Sequence, residues 1–308
     1  MVLLAVYANI MFERTRKTQP DEIAMKKLLF LLAFACLPLT AAEETTQITG
    51  PLTADGYIDF FKALEEKMYP AELATDNNGF RLFVRQFGDA SLDAKSEHSE
   101  FYRLQKYQKL GLDPNVPPTL TLPLEPSEVL KKFYEEKREK GKEFSLVDDS
   151  GKPWTLKEYP MLVDWIKEID APMDAVAEMI RKPIFFSPAL SSWESAESGR
   201  PQALYDIRLS DVQLCRSIAR TLQARATYRI SQGNIDGAID DKLTIHRLGR
   251  LHAQKGCLVQ HLIGIAIEGM GIAIPVGANP EHPLTEKQIR RILDGLNALP
   301  PREPIINA

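Results

Sequence analysis

The sequence predicts an all-α protein: an irregular multi-helix bundle with a helical hairpin in its C-terminal third and long proline-rich connecting segments. Apolar residues recur at helical spacing along most of the chain, as expected for helices with one buried face. Prolines and glycines separate these stretches, and five prolines lie within residues 112–126. Periodic stretches with such breaks favour helices joined by irregular connections.

The first predicted helices are bounded by recognisable stop signals. An apolar stripe predicts a helix at 53–67, which Tyr69–Pro70 ends. A turn at Asn77–Gly79 leads to a second helix at 80–87, and a third spans 99–110. Three helices are predicted after the proline-rich stretch. The first spans 127–140, the second follows a capping box at Thr155–Glu158, and the third spans 173–181 with Asp170 as its cap. Residues 184–200 are predicted to form a loop.

The C-terminal third has the strongest periodicity. Helices at 211–232 and 235–251 are predicted to form a hairpin through a turn at Gly233–Asn234. Residues 257–274 are apolar on nearly every side, so we expect this helix at the water-excluded centre of the bundle. Its few polar residues argue against a membrane span. A last helix is predicted at 285–299.

The helices and the N-terminal signals divide the chain into five parts. We expect 43–308 to be one compact unit. Few residues follow the last helix, and whether the chain is truncated at its C-terminus stays open. The parts are 1–24, expected to lie upstream of the true start and to be disordered; 25–42, a signal peptide; 43–111, an N-terminal helical part; 112–126, a proline-rich strap or linker; and 127–308, a C-terminal helical part.

Residues 25–42 have the organisation of a secretory signal peptide. A basic start at Lys26–Lys27 precedes a short apolar run at 28–36 and a small-residue exit at Ala41–Ala42. The apolar run is too short to span a bilayer as an anchor. We therefore expect cleavage after Ala42 and export to the periplasm or cell envelope.

A lipoprotein signal is the alternative interpretation of the same region. Residues Ala33–Cys36 resemble a lipobox, in which Cys36 would be acylated, although Ala33 stands where leucine or valine is usual. Release and a lipid tether through Cys36 both stay open at this point. The two outcomes differ in whether the mature protein is attached to a membrane.

Composition and charge exclude some classes of partner. The chain has 44% hydrophobic and 26% charged residues and a net charge of −4, as in ordinary globular proteins. Nucleic-acid binding needs a concentrated basic surface, whereas the densest charged run, 131–142, mixes both signs at helical spacing. We predict no nucleic-acid partner and no transmembrane span in the mature chain.

The hairpin resembles a tetratricopeptide repeat. The residues that match the core of that repeat are Ala226, Gly233, Asn234, Ile235, Ala238 and Ile239, within residues 211–251. Arg225, Lys242 and Ile245 depart from the repeat pattern, and the sequence contains no second copy. We therefore predict a tetratricopeptide-like helical hairpin without a repeat array.

A wider resemblance rests on four stretches, 223–226, 233–238, 246–251 and 264–268. Together they resemble a family of uncharacterised exported bacterial helical proteins. The resemblance implies an exported helical protein and implies no activity.

Motifs of known chemistry are absent from the sequence. It contains no glycine-rich phosphate loop, no His-Glu-x-x-His pair, no Gly-x-Ser-x-Gly elbow and no Cys-x-x-Cys pair. We therefore predict no cofactor.

Three groups of residues are candidates for a site or a buried pairing. Glu268 is a carboxylate within an apolar helix, so we expect it either to form an ion pair with an arginine, for which Arg225 is the candidate, or to face a polar cleft. Cys215 and Cys257 either form a disulfide or stay two separate thiols. Glu268, His261 and His246 form either a metal or general acid/base site or a structural polar network.

Two functions are compatible with these features. The first is a binding or scaffolding module of the bacterial cell envelope with a protein partner, because helical hairpins without readable chemistry typically present surfaces. The alternative is a periplasmic hydrolase or metal-dependent enzyme with a site around Glu268, His261 and His246.

Overall fold

The computed structural model describes residues 49–89, 98–122, 124, 160–198, 207–209, 211–254, 257–277 and 283–302. Within these residues the chain forms nine helices and no β-strand, which confirms the predicted all-α class. The helices are α1 (Phe60–Met68), α2 (Gly79–Phe87), α3 (Ser99–Lys109), α4 (Pro160–Ile180), α5 (Trp193–Ser198), α6 (Asp211–Ser231), α7 (Ile235–Ala253), α8 (Leu258–Ile272) and α9 (Glu286–Asn297).

Several predicted features lie outside the described residues. They are the signal peptide at 25–42 with Cys36, the charged run at 131–142 and the capping box at Thr155–Glu158. None of the helices in the described ranges combines the length and apolar character needed to cross a bilayer.

Asn78 connects the N-terminal helices to the loop after α4. Its side chain is buried and accepts hydrogen bonds from the amides of Phe80 (3.1 Å) and Phe186 (3.0 Å). Its amide nitrogen donates to the carbonyls of Leu73 (3.0 Å) and Phe186 (2.9 Å). The cap of α2 therefore also fixes a segment more than a hundred residues away in sequence.

The described part of the proline-rich stretch, residues 112–122, has neither helix nor strand. The backbone amides of Thr119 and Leu120 both donate to the carbonyl of Gln86, each at 2.9 Å. The side chains of Leu112 and Leu122 pack against the buried core. This segment lies against α2, whose last turn contains Gln86.

Helix α4 differs from the prediction. The sequence predicted two helices here, with Asp170 as the cap of the second, at 173–181. The helix instead continues through Pro172, with Ile169 and Met173 fully buried on either side of it. The carbonyl of Asp170 accepts a hydrogen bond from Arg225 of α6 at 2.7 Å, so tertiary contacts support the helix beside the proline. The loop predicted at 184–200 was also partly wrong, since it includes α5.

Helices α6 and α7 are consecutive and joined by a tight turn. Gly233 has a φ of +71°, a conformation that glycine adopts without strain. The Asn234 side chain then caps α7 by accepting from the amide of Gly237 at 3.0 Å. Ala226, Ala238 and other small or branched apolar residues of both helices are buried. The similarity to a tetratricopeptide repeat stays a prediction.

Helix α8 packs closely against α7. A methyl group added at Gly249 would lie 2.6 Å from the carbonyl oxygen of Gly264, and one added at Gly264 would lie 2.6 Å from that of Gly249. Only glycine at both positions allows the two backbones to approach so closely. The contact sets the register of α7 and α8, with residue 249 opposite residue 264.

Candidate functional site

The two faces of α8 are inverted relative to an ordinary surface helix. The face toward the protein contains Gln260, His261 and Glu268, which are all buried, together with Gly264 and Ile267. The opposite face is apolar and open to solvent. Its large side chains are Leu258, Val259, Leu262, Ile265 and Ile272, which are 45–70% exposed. The prediction that this helix forms the water-excluded centre of the bundle was therefore wrong, because only one of its faces is covered.

Glu268 is paired, but not with the predicted arginine. Its Oε2 accepts hydrogen bonds from Arg250 Nε and Arg302 Nη2, each at 2.8 Å. The Gly249–Gly264 contact brings Arg250 of α7 beside Glu268, whereas Arg225 on α6 contacts other carboxylates. The expectation of a buried ion pair between Arg225 and Glu268 was wrong because the order of residues along the chain does not specify which neighbouring helix faces α8.

The candidate trio of Glu268, His261 and His246 does not converge. His246 is buried beside Gly271 of α8, and the charge of Glu268 acts on it. Burial, followed by the positive charge of Lys242, lowers the pKa of His246, so its neutral form is favoured. His261 precedes Glu268 by nearly two helical turns, about 10 Å along the axis. The structure therefore brings His246 and Glu268 together and leaves His261 apart.

A second buried charge cluster surrounds Arg225, whose side chain is 1% exposed. Arg225 forms a two-point contact with Asp241 of α7, with Nη2 to Oδ1 at 2.6 Å and Nε to Oδ2 at 3.2 Å. Its Nη1 donates to Asp174 of α4 at 2.9 Å. Arg229 adds contacts to Asp241 at 3.1 Å and to Asp170 at 2.8 Å. The cluster joins α4, α6 and α7.

Burial raises the pKa of Asp241 to about 6, and the positive charges of Arg225 and Arg229 oppose this shift. A cleft of about 480 Å³ borders the cluster and is lined by charged and polar side chains, among them Glu178 and Arg181. The guanidinium and carboxylate groups at its base are already bonded to one another. We therefore interpret the cluster as a structural connection between helices.

Both cysteines in the described region are free thiols, so Cys215 and Cys257 do not form a disulfide. Cys215 is fully buried on α6, one turn after Asp211. His252, in the last turn of α7, is also buried, and one ligand atom from each of Asp211, Cys215 and His252 lies within 4.8 Å of the other two. Burial, followed by the negative charge of Asp211, raises the pKa of the Cys215 thiol.

Another buried cation lies near this group. Lys106 of α3 is fully buried, donates to Asp89 at 2.7 Å and is influenced by the charge of Asp211. Burial nevertheless lowers the pKa of Lys106, because the charged amine loses its hydration. Sequence analysis singled out Cys215 but not Asp211 or His252. The sequence shows that Asp211 and Cys215 are four residues apart and therefore share one side of a helix. His252 meets them only because of the way α6 and α7 align.

No family model, curated protein or solved structure matches this chain. Its function is therefore inferred from the geometry of its own residues.

Proposed function

We propose that the protein is an exported helical binding protein of the bacterial cell envelope that docks a protein partner on the outer face of α8. The observation that supports this proposal most strongly is the row of Leu258, Leu262, Ile265 and Ile272, which recurs at helical spacing and stays open to solvent. Contiguous exposed apolar surface of this kind marks interaction sites in folded proteins.

The form of the face suits a helical or extended apolar segment of a partner. Ala266 and Gly269 are exposed between the larger side chains, and a methyl group added at Gly269 would meet no atom within 4 Å. Small residues among large ones create a groove into which a partner's side chains can insert. Burying this surface in a complex would remove apolar area from water and so favour association.

The inward face of α8 supports a binding role more than a catalytic one. Glu268 accepts two arginine hydrogen bonds at 2.8 Å through the same oxygen. His246 lies beside Gly271, ten residues after His261 on α8, which corresponds to about 15 Å along the helix axis. A general acid or base must be within hydrogen-bond reach of its substrate and of its partner group. The enzyme alternative around these three residues therefore has less structural support than the docking surface.

The proposal is tested by capture of partners from native envelopes. The full chain with an affinity tag is expressed in its own host, cross-linked in place and purified, and co-purifying proteins are identified by mass spectrometry. We expect a discrete partner with the natural sequence and at least a ten-fold loss of that partner with Leu262→Glu. A charge on the docking surface would be buried without a counter-ion in the complex.

Leu104→Glu is the matched control, because Leu104 of α3 is an exposed leucine of similar exposure on a different helix. This variant should retain the partner. Retention by both variants, or capture of no partner by the natural chain, would contradict the proposal. Concentration-dependent self-association abolished by Leu262→Glu would assign the face to a second copy instead. Mass spectrometry of the processed N-terminus would separately distinguish release from acylation at Cys36.

A further inference from the structure

The open end of the α6–α7 hairpin brings together three side chains that are common metal ligands. Asp211 and Cys215 lie one turn apart on the same side of α6, and His252 reaches them from the last turn of α7. At the other end the same two helices are joined by the turn at Gly233–Asn234. The three residues therefore lie where the hairpin has no covalent connection.

The ligand atoms are close enough for one ion to reach all three. A carboxylate oxygen, the Cys215 sulfur and a ring nitrogen of His252 lie within 4.8 Å of one another. In a tetrahedral zinc site with bonds of roughly 2.0–2.3 Å, ligand atoms are separated by about 3.5 Å. Any two of these atoms would therefore have to approach by no more than about 1 Å to reach that separation.

One ring nitrogen of His252 is buried without a hydrogen-bond partner, and the other faces Asp211. The side chain is 3% exposed, and its Nε2 is buried without a hydrogen-bond partner. Its Nδ1 lies 3.5 Å from Asp211 Oδ2, which is long for a hydrogen bond. A buried polar atom without a partner is costly in a folded protein and suggests that a bound group is its normal partner.

The ligand types define the class of metal. One sulfur, one nitrogen and one oxygen ligand suit a borderline-soft ion better than calcium or magnesium, which prefer oxygen ligands. An ionised aspartate and a thiolate would together balance the charge of a divalent cation, so the metal could be bound in the interior without a net buried charge.

We propose that Asp211, Cys215 and His252 bind one divalent transition-metal ion, best matched by Zn²⁺, that joins the start of α6 to the end of α7. This site is independent of the docking surface on α8. Binding replaces the thiol proton of Cys215, which passes to solvent, with a metal–sulfur bond, and no oxidation is involved. Because the three residues are buried, we expect the metal to enter during folding and to stabilise the hairpin.

The test uses the full chain, unfolded and refolded under reducing conditions with one equivalent of Co²⁺ or Zn²⁺. We expect about one metal per chain by elemental analysis and, with Co²⁺, a sulfur-to-cobalt charge-transfer band in the near ultraviolet. Zn²⁺ should displace Co²⁺ and remove the band. Cys215→Ser should abolish the band, whereas Cys257→Ser and Cys36→Ser are matched controls that should retain it.

Folding and metal binding are separated by two further variants. Asp211→Asn and His252→Gln keep the approximate size of each side chain, and each should weaken Co²⁺ binding at least ten-fold while circular dichroism shows an unchanged helix content. Less than a tenth of an equivalent of metal in the folded natural chain would overturn the proposal. A band that survives Cys215→Ser or disappears in Cys257→Ser would overturn it as well.

Discussion

Helix α7 is attached to its two neighbours by different means. Against α6, a two-point contact between Arg225 and Asp241 is buried with most of its hydrogen-bonding groups satisfied. Against α8, the backbones meet at Gly249 and Gly264. The α6–α7 interface therefore contains a fully buried two-point ion pair, whereas the α7–α8 interface combines a close backbone approach with the pair between Arg250 and Glu268. On α8, the inward-facing Glu268 is paired with Arg250, while the apolar residues of the opposite face stay exposed.

The largest effect is expected from removing the charge pairing between α6 and α7. Arg225→Ala leaves Asp241 buried with only Arg229 as a charged partner, so the free energy of unfolding should fall by about 3–5 kcal/mol. Urea denaturation followed by circular dichroism measures the change. The control is Arg290→Ala, which removes an exposed pair with Glu286 and should cost about 0.5 kcal/mol or less. Equal losses of unfolding free energy in both variants would show that the buried pair between α6 and α7 contributes no more than an exposed pair.

The α7–α8 interface is tested by adding one methyl group at its closest approach. Gly264→Ala would place that group 2.6 Å from the Gly249 carbonyl oxygen, and we expect a loss of about 1–3 kcal/mol by the same measurement. Gly269→Ala on the exposed side of α8 meets no neighbour and should raise stability by up to about 1 kcal/mol through helix propensity. A neutral Gly264→Ala would show that the two helices do not need their close approach.

A pH dependence is expected at the same interface. Burial and the charge of Lys242 lower the pKa of His246 below that of an unfolded histidine, with Arg250 and Arg302 acting in the same direction and Glu268 opposing them. The unfolded chain therefore takes up the proton at a higher pH than the folded chain. The contribution of His246 to stability is complete above about pH 6.5 and decreases as the pH falls toward the folded value.

Denaturation curves between about pH 5 and 7.5 check this dependence. We expect His246→Gln to flatten the slope of stability against pH, because glutamine does not titrate. His98→Gln is the matched control, because His98 precedes α3 and stacks on Trp193, and this variant should leave the α7–α8 contribution in place. An unchanged slope in His246→Gln would assign the dependence to other groups.

The smallest effect on stability is expected on the outer face of α8. Leu262 is 53% exposed, so Leu262→Glu should change the free energy of unfolding by about 0.5 kcal/mol or less. Thermal and urea denaturation of the purified variant check this expectation. A large loss of unfolding free energy would mean that the outer face of α8 is packed against the rest of the chain, which would contradict its description as an exposed face.

The amino-acid sequence determined the local features of this protein. The all-α class and the turn at Gly233–Asn234 follow from spacing and residue type, because helices and turns form between residues near in sequence. The sequence also indicated that Glu268 needs a charged partner or a polar cleft, since an unpaired carboxylate is costly in an apolar helix.

Only the tertiary structure decided which partners these residues meet. The pairing of Glu268 with Arg250, the outward rotation of the apolar face of α8 and the convergence of His252 with Asp211 and Cys215 depend on how whole helices align. A shift of one residue between neighbouring helices changes every such contact while leaving each helix intact. Helical periodicity sets which residues share a face, whereas packing across helices distant in sequence sets what that face touches.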